Sequence, residues 1–317
     1  MQNTFREIFI FKNVFWLSAR PKAAFAHHLK AKACLFSAIL SLGFHGEIAR
    51  AADNRTSPGK LASAVTSVRA AQEPAEVEQI VKYCCKLWNA KKRRPALNTI
   101  DECLIKHPKS LTLFSLRSRF YCDIYEDELA IADAQKVLCQ KPDDERAAIV
   151  EAEVFNRTSK PAEALAASDR ALKYHPNSTG LGYMRALSLL ALKRNQEGLK
   201  ELDRICSLEP NFSPFRRSRG RCLMEMKLYK RAAVDYLWLT TGDVENAPSA
   251  FATLGDCYFF IKDLANARKA YENALKLDKD ELNGHRGMES VYRATGNTIL
   301  ADKENREVRR IESDLSP

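Results

Sequence analysis

The sequence predicts an all-α fold, a solenoid of about seven helix-turn-helix repeats, and two observations support this prediction. The chain of 317 residues is 45% hydrophobic but holds only 12 Gly and 12 Pro, too few turn-forming residues for an all-β protein. Four prolines recur at one constant spacing along the chain, namely Pro108, Pro142, Pro176 and Pro210. A fixed period of about 20 to 50 residues is typical of repeat solenoids.

A small residue stands 12 residues before each of these prolines, and the same register continues to the end of the chain. With one extra residue between the fifth and the sixth, the seven members are Ala96, Ala130, Ala164, Gly198, Ala232, Ala267 and Ala301. Two antiparallel helices approach closely only where small side chains face each other. The register therefore predicts seven successive helix pairs, each of which needs its neighbours to complete its core.

Residues 248–281 resemble a known repeat. Their residues follow the order of the tetratricopeptide-repeat (TPR) signature, namely Phe251, Leu254, Gly255, Tyr258, Ala267, Tyr271 and Ala274. Extended along the chain, the resemblance places repeats at 77–110, 111–144, 145–178, 179–212, 213–247, 248–281 and 282–315. It implies a right-handed superhelical solenoid whose first helices line a concave groove for a protein or peptide partner.

Residues 1–51 are predicted to be a targeting segment rather than part of the solenoid. Two lysines precede an apolar run from Ala33 to Phe44, which fits the core of a signal peptide and is too short to span a bilayer. Ala49-Arg50-Ala51 supplies the small residues that signal peptidase needs for cleavage before Ala52. We expect an exported protein, periplasmic or secreted. The alternatives are an organellar transit peptide, or an uncleaved anchor that would be the only link to a membrane.

The solenoid itself carries only a mild positive charge. The formal net charge is +10, and half of it lies in residues 1–52, whereas nucleic-acid binders usually concentrate positive charge on one face. Residues 52–76, outside the repeats, are predicted to form a linker and a possible capping helix. Because the charge of the solenoid is mild, nucleic acid is not the expected partner. The alternative is an organellar or cytosolic helical-repeat RNA-binding protein, with phosphates on Arg216, Arg217, Arg219 and Arg221.

The sequence predicts a binding protein rather than an enzyme, with no cofactor and no metal. It contains no phosphate-binding loop, no dinucleotide-binding glycine motif and no His-Glu-x-x-His motif. Residues 53–76 alone remain outside the repeats and the targeting segment, too few for a catalytic domain. Among nine cysteines, Cys84 and Cys103 are the best candidates for a disulfide, since both should face inward. Buried cysteines that act as small hydrophobes are the alternative.

Function is expected on the face that the first helices present to the groove, at residues three and four apart. These candidate groove residues are Trp88, Arg119, Glu153, Tyr183, Leu187, Arg217, Arg221, Asp256, Phe259, Arg286 and Arg293. Some TPR domains use this face as a two-carboxylate clamp, but the matching positions hold unlike residues here, such as Val81 and Cys85. That specificity is therefore not expected.

Arg217 and Arg221 stand out among the candidates because they lie one helical turn apart on a single face. Two guanidinium groups so placed could hold a carboxylate or a phosphate bidentately. The alternative is a solvated face, or a face whose charges pair within the protein.

Overall fold

A computed structural model describes residues 75–241 and 247–315. The predicted targeting segment 1–51 and all but the last two residues of the predicted linker lie outside the described residues. The chain divides into two compact units, Met1–Ile80 and Val81–Pro317. The first is described only over residues 75–80, which are helical, and all other residues discussed below belong to the second.

The described residues form fourteen α-helices and no strand. The helices are α1 (Ala75–Asn89), α2 (Arg93–Lys106), α3 (Leu111–Asp123), α4 (Asp127–Gln140), α5 (Glu145–Arg157), α6 (Pro161–Leu172), α7 (Thr179–Ala191), α8 (Asn195–Leu208), α9 (Ser213–Glu225), α10 (Tyr229–Thr241), α11 (Pro248–Phe260), α12 (Leu264–Leu277), α13 (Leu282–Ala294) and α14 (Thr298–Leu315). Each helix from α2 onward packs against the next, and the first helices α3, α5 and α7 also contact one another in turn. The predicted all-α solenoid of seven helix pairs is confirmed.

The spaced prolines mark the joints between repeats. Two residues after Pro108, Pro142 and Pro176 stands the residue that precedes the next first helix, namely Ser110, Asp144 and Ser178. Each of these three side chains accepts a hydrogen bond from the backbone N–H three residues later, at 3.0 to 3.3 Å. Such a cap satisfies one of the free N–H groups at a helix start. Each proline therefore follows the end of one second helix, and the residue two positions later caps the next first helix.

Each helix hairpin reverses through one residue in the left-handed region, the fifteenth of its repeat. These seven residues are Lys91, Tyr125, Ser159, Lys193, Lys227, Lys262 and Gly296, with φ between 60° and 77°. Only glycine takes this conformation without a steric penalty. The other six turns therefore accept a local cost that the packing of the helices on either side outweighs.

The seventh residue of three repeats is an arginine that bonds one acidic residue 16 positions later and another 16 positions earlier. The three sets are Asp101, Arg117 and Asp133; Asp169, Arg185 and Glu201; and Asp203, Arg219 and Asp235. The later acid lies on the second helix of the same repeat and the earlier acid on the second helix of the preceding repeat. We call these nine residues the charged seam, because they join neighbouring repeats through ion pairs.

Repeats 6 and 7 place apolar residues at the same seventh position, Leu254 and Met288, each 4% exposed. Around Leu254, the two positions equivalent to the acids of the charged seam hold Leu237 of repeat 5 and Ala270 of repeat 6. We call Leu237, Leu254 and Ala270 the apolar seam. Leu254 and Ala270 belong to one buried core cluster, whereas Leu237 is 46% exposed. The same joint of the solenoid is thus closed by charge in one region and by the hydrophobic packing of Leu254 and Ala270 in another.

Cys84 and Cys103, the candidates for a disulfide, are both buried and are not joined by a disulfide bond. Burial raises the pKa of Cys84 to about 12, and the neighbouring thiols of Cys85 and Cys103 act in the same direction. Both side chains therefore contribute to the buried core of the first repeat.

Candidate functional site

The candidate groove residues occupy the fifth, ninth and twelfth positions of their repeats, on the first helices. Two contacts join successive first helices at or next to these positions. Arg119 of α3 donates to Glu153 of α5 at 2.6 Å, and the hydroxyl groups of Tyr183 of α7 and Ser218 of α9 are 2.9 Å apart. We call the side of the first helices that carries these positions the first-helix face.

The first-helix face is internally paired over repeats 1 to 3. Trp88 stacks on Phe120 with ring centroids 3.9 Å apart, and its Nε1 donates to Asp123 at 3.0 Å. Asp123 and Glu153 both accept hydrogen bonds from Arg119. These contacts link three repeats, and we call Trp88, Arg119, Asp123 and Glu153 the closed stretch.

The electrostatics of the closed stretch agree with this pairing. Burial disfavours the charged guanidinium of Arg119, but Glu153 and Asp123 outweigh burial and raise the pKa of Arg119 above its usual value. Burial also raises the pKa of the Asp123 carboxyl, although Arg119 acts in the opposite direction. The charges predicted to meet a partner therefore satisfy one another here.

The first-helix face is different over repeats 4 and 5. Tyr183 is buried, and its ring lies 5.1 Å from that of Phe215. Arg217 is half-buried and Arg221 is exposed, and neither has a carboxylate within ion-pair distance among the residues that the structure describes. We call Tyr183, Leu187, Arg217, Arg221 and Met224 the open stretch.

The two arginines of the open stretch lie beside the same pair of phenols. Burial raises the pKa of Tyr183, while Arg221 and Arg217 oppose that rise. Burial likewise raises the pKa of Tyr236 to about 12, again against the opposing charges of Arg221 and Arg217. Both guanidinium groups therefore act in the same direction on both rings, whereas Glu153 acts in the opposite direction on Tyr183 and Asp235 does so on Tyr236.

The other two arginines of α9, Arg216 and Arg219, have structural roles. Arg219 donates to both carboxylate oxygens of Asp235, at 2.8 and 2.6 Å, and Arg216 reaches the same carboxylate at 3.3 Å. The guanidinium of Arg216 also lies over the ring of Trp238, 4.6 Å from its centroid. Two of the four arginines that the RNA-binding alternative assigned to phosphates therefore hold the core of repeat 5 instead.

The candidate residues of repeats 6 and 7 mostly have partners within the protein. Asp256 accepts a hydrogen bond from the hydroxyl of Tyr271 at 2.7 Å, and the ring of Phe259 lies 6.0 Å from that of Phe260. Arg286 pairs with Glu312 of α14, and Arg293 pairs with Glu289 at 2.9 Å. The structure does not bring these residues to the open stretch.

Sequence reasoning missed part of the apolar surface near the open stretch. Ile149, Leu190 and Met224 are partly buried and pack against the core formed by repeats 3 to 6. They occupy the fifth or twelfth position of their repeats, the positions of Tyr183 and Phe259. The repeat register was the signal that could have identified them, but the charged residues between them are more conspicuous in the sequence.

Two further observations concern the described residues only. None of their helices is both long enough and apolar enough to cross a bilayer. In the same ranges, no group of three or more His, Cys, Asp or Glu side chains is placed to hold a metal ion.

Comparison with family models gives two matches. The tetratricopeptide-repeat model matches residues 248–281, and the model described as anaphase-promoting complex, cyclosome, subunit 3 matches residues 123–205. No curated protein matches the sequence.

Several solved structures resemble the fold. PilF of Pseudomonas aeruginosa is 18% identical with a TM-score of 0.54, and the match covers 63% of this chain and 91% of PilF. MamA of Desulfovibrio magneticus is 20% identical with a TM-score of 0.50, over 52% of this chain and 93% of MamA. YrrB, a TPR protein with an unusual peptide-binding site, is 19% identical with a TM-score of 0.50, over 58% and 95%. With the repeat geometry and the family-model matches, these likenesses show that the chain has the fold of tetratricopeptide-repeat proteins and carries a tetratricopeptide repeat at residues 248–281.

Proposed function

We propose that this protein is an interaction scaffold that binds a peptide or protein partner across the open stretch of its first-helix face, with no cofactor. The observation that carries the proposal is the contrast within that face. The closed stretch uses its own charges on one another, whereas the open stretch offers partly exposed apolar side chains and two arginines without a carboxylate partner among the described residues. YrrB, a protein of similar fold, has a peptide-binding site, which supports this use of the fold.

The proposal assigns no catalytic role to the chain. Reactive cysteines need a lowered thiol pKa, but burial raises the pKa of Cys84, Cys122 and Cys257 to about 12 each. Thiols of this kind remain protonated and serve as small apolar side chains. The raised pKa values of these three thiols are thus accounted for by their burial between packed helices.

Site-specific crosslinking tests the scaffold proposal directly. We would replace Leu187 by the photo-crosslinking residue p-benzoylphenylalanine, express the full-length chain in its native cells and irradiate them. The matched control carries the same residue in place of Lys200, which is exposed on the second helix of the same repeat. We expect discrete protein adducts from position 187 that resist nuclease, and few from position 200. Equal adducts from both positions, or adducts that nuclease removes, would refute the proposal.

We also propose that residues 1–51 direct export and are removed before Ala52. The support comes from the sequence alone, namely the apolar run that ends at Phe44 and the small residues at 49 and 51. N-terminal sequencing of the protein purified from fractionated cells tests this. A mature protein that begins at Ala52 outside the cytoplasm supports export. An organellar location favours a transit peptide, and an intact, membrane-bound N-terminus favours an anchor.

A further inference from the structure

We propose that the open stretch recognises an acidic peptide segment, in which one or two carboxylates bind Arg217 and Arg221 and an adjacent apolar residue packs on Leu187 and Met224. This inference rests on the proposed function, because it names the chemistry of the partner at the same site. Three observations lead to it.

The first observation is that the arginine pair is an exception on its own face. Arg119, Arg286 and Arg293 each pair with a carboxylate of this chain. Arg217 and Arg221 have no such partner among the described residues, although they are like charges one turn apart, an arrangement that weakly destabilises a helix. An anion from outside would relieve this repulsion and satisfy both guanidinium groups.

The second observation is the environment of the pair. Both arginines act on Tyr183 and Tyr236, and these two aromatic side chains are 6% and 7% exposed. Arg217 is half-buried, and partial exclusion of water strengthens a charge-assisted hydrogen bond to its guanidinium, whereas Arg221 is exposed and makes such a bond in contact with water. Because a guanidinium presents a planar fork of donors, it suits the two oxygens of a carboxylate.

The third observation is that the open stretch combines only two arginines, unpaired among the described residues, with apolar side chains. Arg216 and Arg219 are held by Asp235, so only two arginines of the segment remain available. A nucleic-acid strand usually needs a longer track of phosphate contacts. Leu187 and Met224 are partly buried and pack against the core, and they offer an apolar surface for a side chain next to the acid. An acidic peptide with an apolar neighbour fits this combination better than RNA.

Peptide selection tests the inference because it requires no identified partner. A phage-displayed library of random 12-residue peptides would be selected on the full chain. The same library would be selected on two double variants. Arg217→Glu with Arg221→Glu is called the groove variant, and Arg94→Glu with Arg309→Glu is the control. The last variant makes the same change in charge at two exposed arginines of the second helices α2 and α14. We expect the wild type and the control to enrich peptides in which Asp or Glu stands beside Leu, Ile or Phe. The groove variant should instead enrich peptides that contain Lys or Arg.

The selected acidic peptide then serves as the probe in a fluorescence anisotropy titration, with a 12-nucleotide poly-U RNA in parallel. The groove variant should weaken peptide binding by about tenfold or more, since charge-assisted hydrogen bonds are lost. The control should bind within about twofold of the wild type, and added salt should weaken the wild-type complex. Circular dichroism would verify that each variant keeps its helices.

Each contrary result has one meaning. If no acidic peptide is enriched, or if the groove variant enriches the same acidic peptides as the wild type, the inference is wrong. If the RNA binds and the groove variant abolishes that binding, the site takes phosphates instead. Crosslinks from position 187 without acidic selection would leave the scaffold in place and remove only this inference, whereas failure of both experiments would remove both.

Discussion

The joint between repeats 4 and 5 and the joint between repeats 5 and 6 occupy equivalent places in the solenoid. The first is stabilised by ion pairs and the second by apolar packing. At the first, Arg219 donates to Asp235 and Asp203, and the carboxylate of Asp235 is only 1% exposed. At the second, Leu254 is buried where the arginine would stand. The repeat geometry therefore fixes which residues meet, but it leaves open whether they meet as charges or as apolar side chains.

The most disruptive test places a charge in the apolar seam. Leu254→Arg would introduce a buried guanidinium with neither of the two acids that Arg219 has, so we expect a loss of about 3 to 5 kcal/mol in the free energy of unfolding. Urea denaturation of the full chain measures it.

A matched rescue sharpens this test. Adding Ala270→Asp and Leu237→Asp to Leu254→Arg would rebuild the acids of the charged seam, and most of the loss should be recovered. If the triple variant is no more stable than Leu254→Arg alone, the two seams are not interchangeable.

The second test removes one carboxylate from the charged seam. Asp235→Ala would leave Arg219 and half-buried Arg216 without their shared partner, and we expect a loss of about 3 kcal/mol. Asp203→Ala is the control, because its carboxylate is 40% exposed and should contribute less than about 1 kcal/mol. Similar losses for the two variants, measured by urea denaturation, would show that burial does not set the strength of the seam.

The third test concerns a feature that the two regions share. Lys227 and Lys262 turn the hairpins of repeats 5 and 6 with φ of 60° and 68°, and Gly296 does the same in repeat 7. Lys227→Gly and Lys262→Gly should each raise stability by up to about 1 kcal/mol, since glycine takes this conformation without a penalty. Thermal denaturation should show equal gains. A gain in one repeat only would mean that the regions differ in their turns as well as their seams.

The contrast between the seams also explains which features of the fold could be predicted from the sequence alone. The period, the small residues at the helix crossings and the TPR resemblance of residues 248–281 predicted the paired helices, because these features depend on spacing. The charged seam was missed because its members lie on different helices, and a pattern within one helix does not reveal them. Yet an arginine with an acid 16 positions before it and another 16 positions after it is visible in the sequence at 117, 185 and 219.

The candidate site was predicted less completely for a related reason. The register predicted a functional face on the first helices, but it could not tell which charges on that face pair within the protein. Arg119 and Glu153 are one repeat apart, and the partner of Arg219 lies on a second helix. Pairing depends on side-chain reach across helices, so the distinction between the closed and open stretches required the structure.

The smallest effect we predict compares the buried carboxylate of Asp235 in repeat 5 with the half-buried carboxylate of Asp256 in repeat 6. Asp235 is held by arginines, whereas Asp256 of repeat 6 has a phenol as its partner, and burial raises its pKa despite the hydrogen bond from Tyr271. The folded protein therefore binds the Asp256 proton more tightly than the unfolded chain does. The stability that this group contributes is fully present below the unfolded pKa and declines as the pH rises through the folded pKa. Asp256→Asn should flatten that decline, which begins above the usual aspartate pKa of about 4, as followed by urea denaturation at a series of pH values. An unchanged slope would mean that the Asp256 carboxyl titrates alike in both states, and that repeat 6 tolerates a half-buried charge as readily as repeat 5 tolerates a buried one.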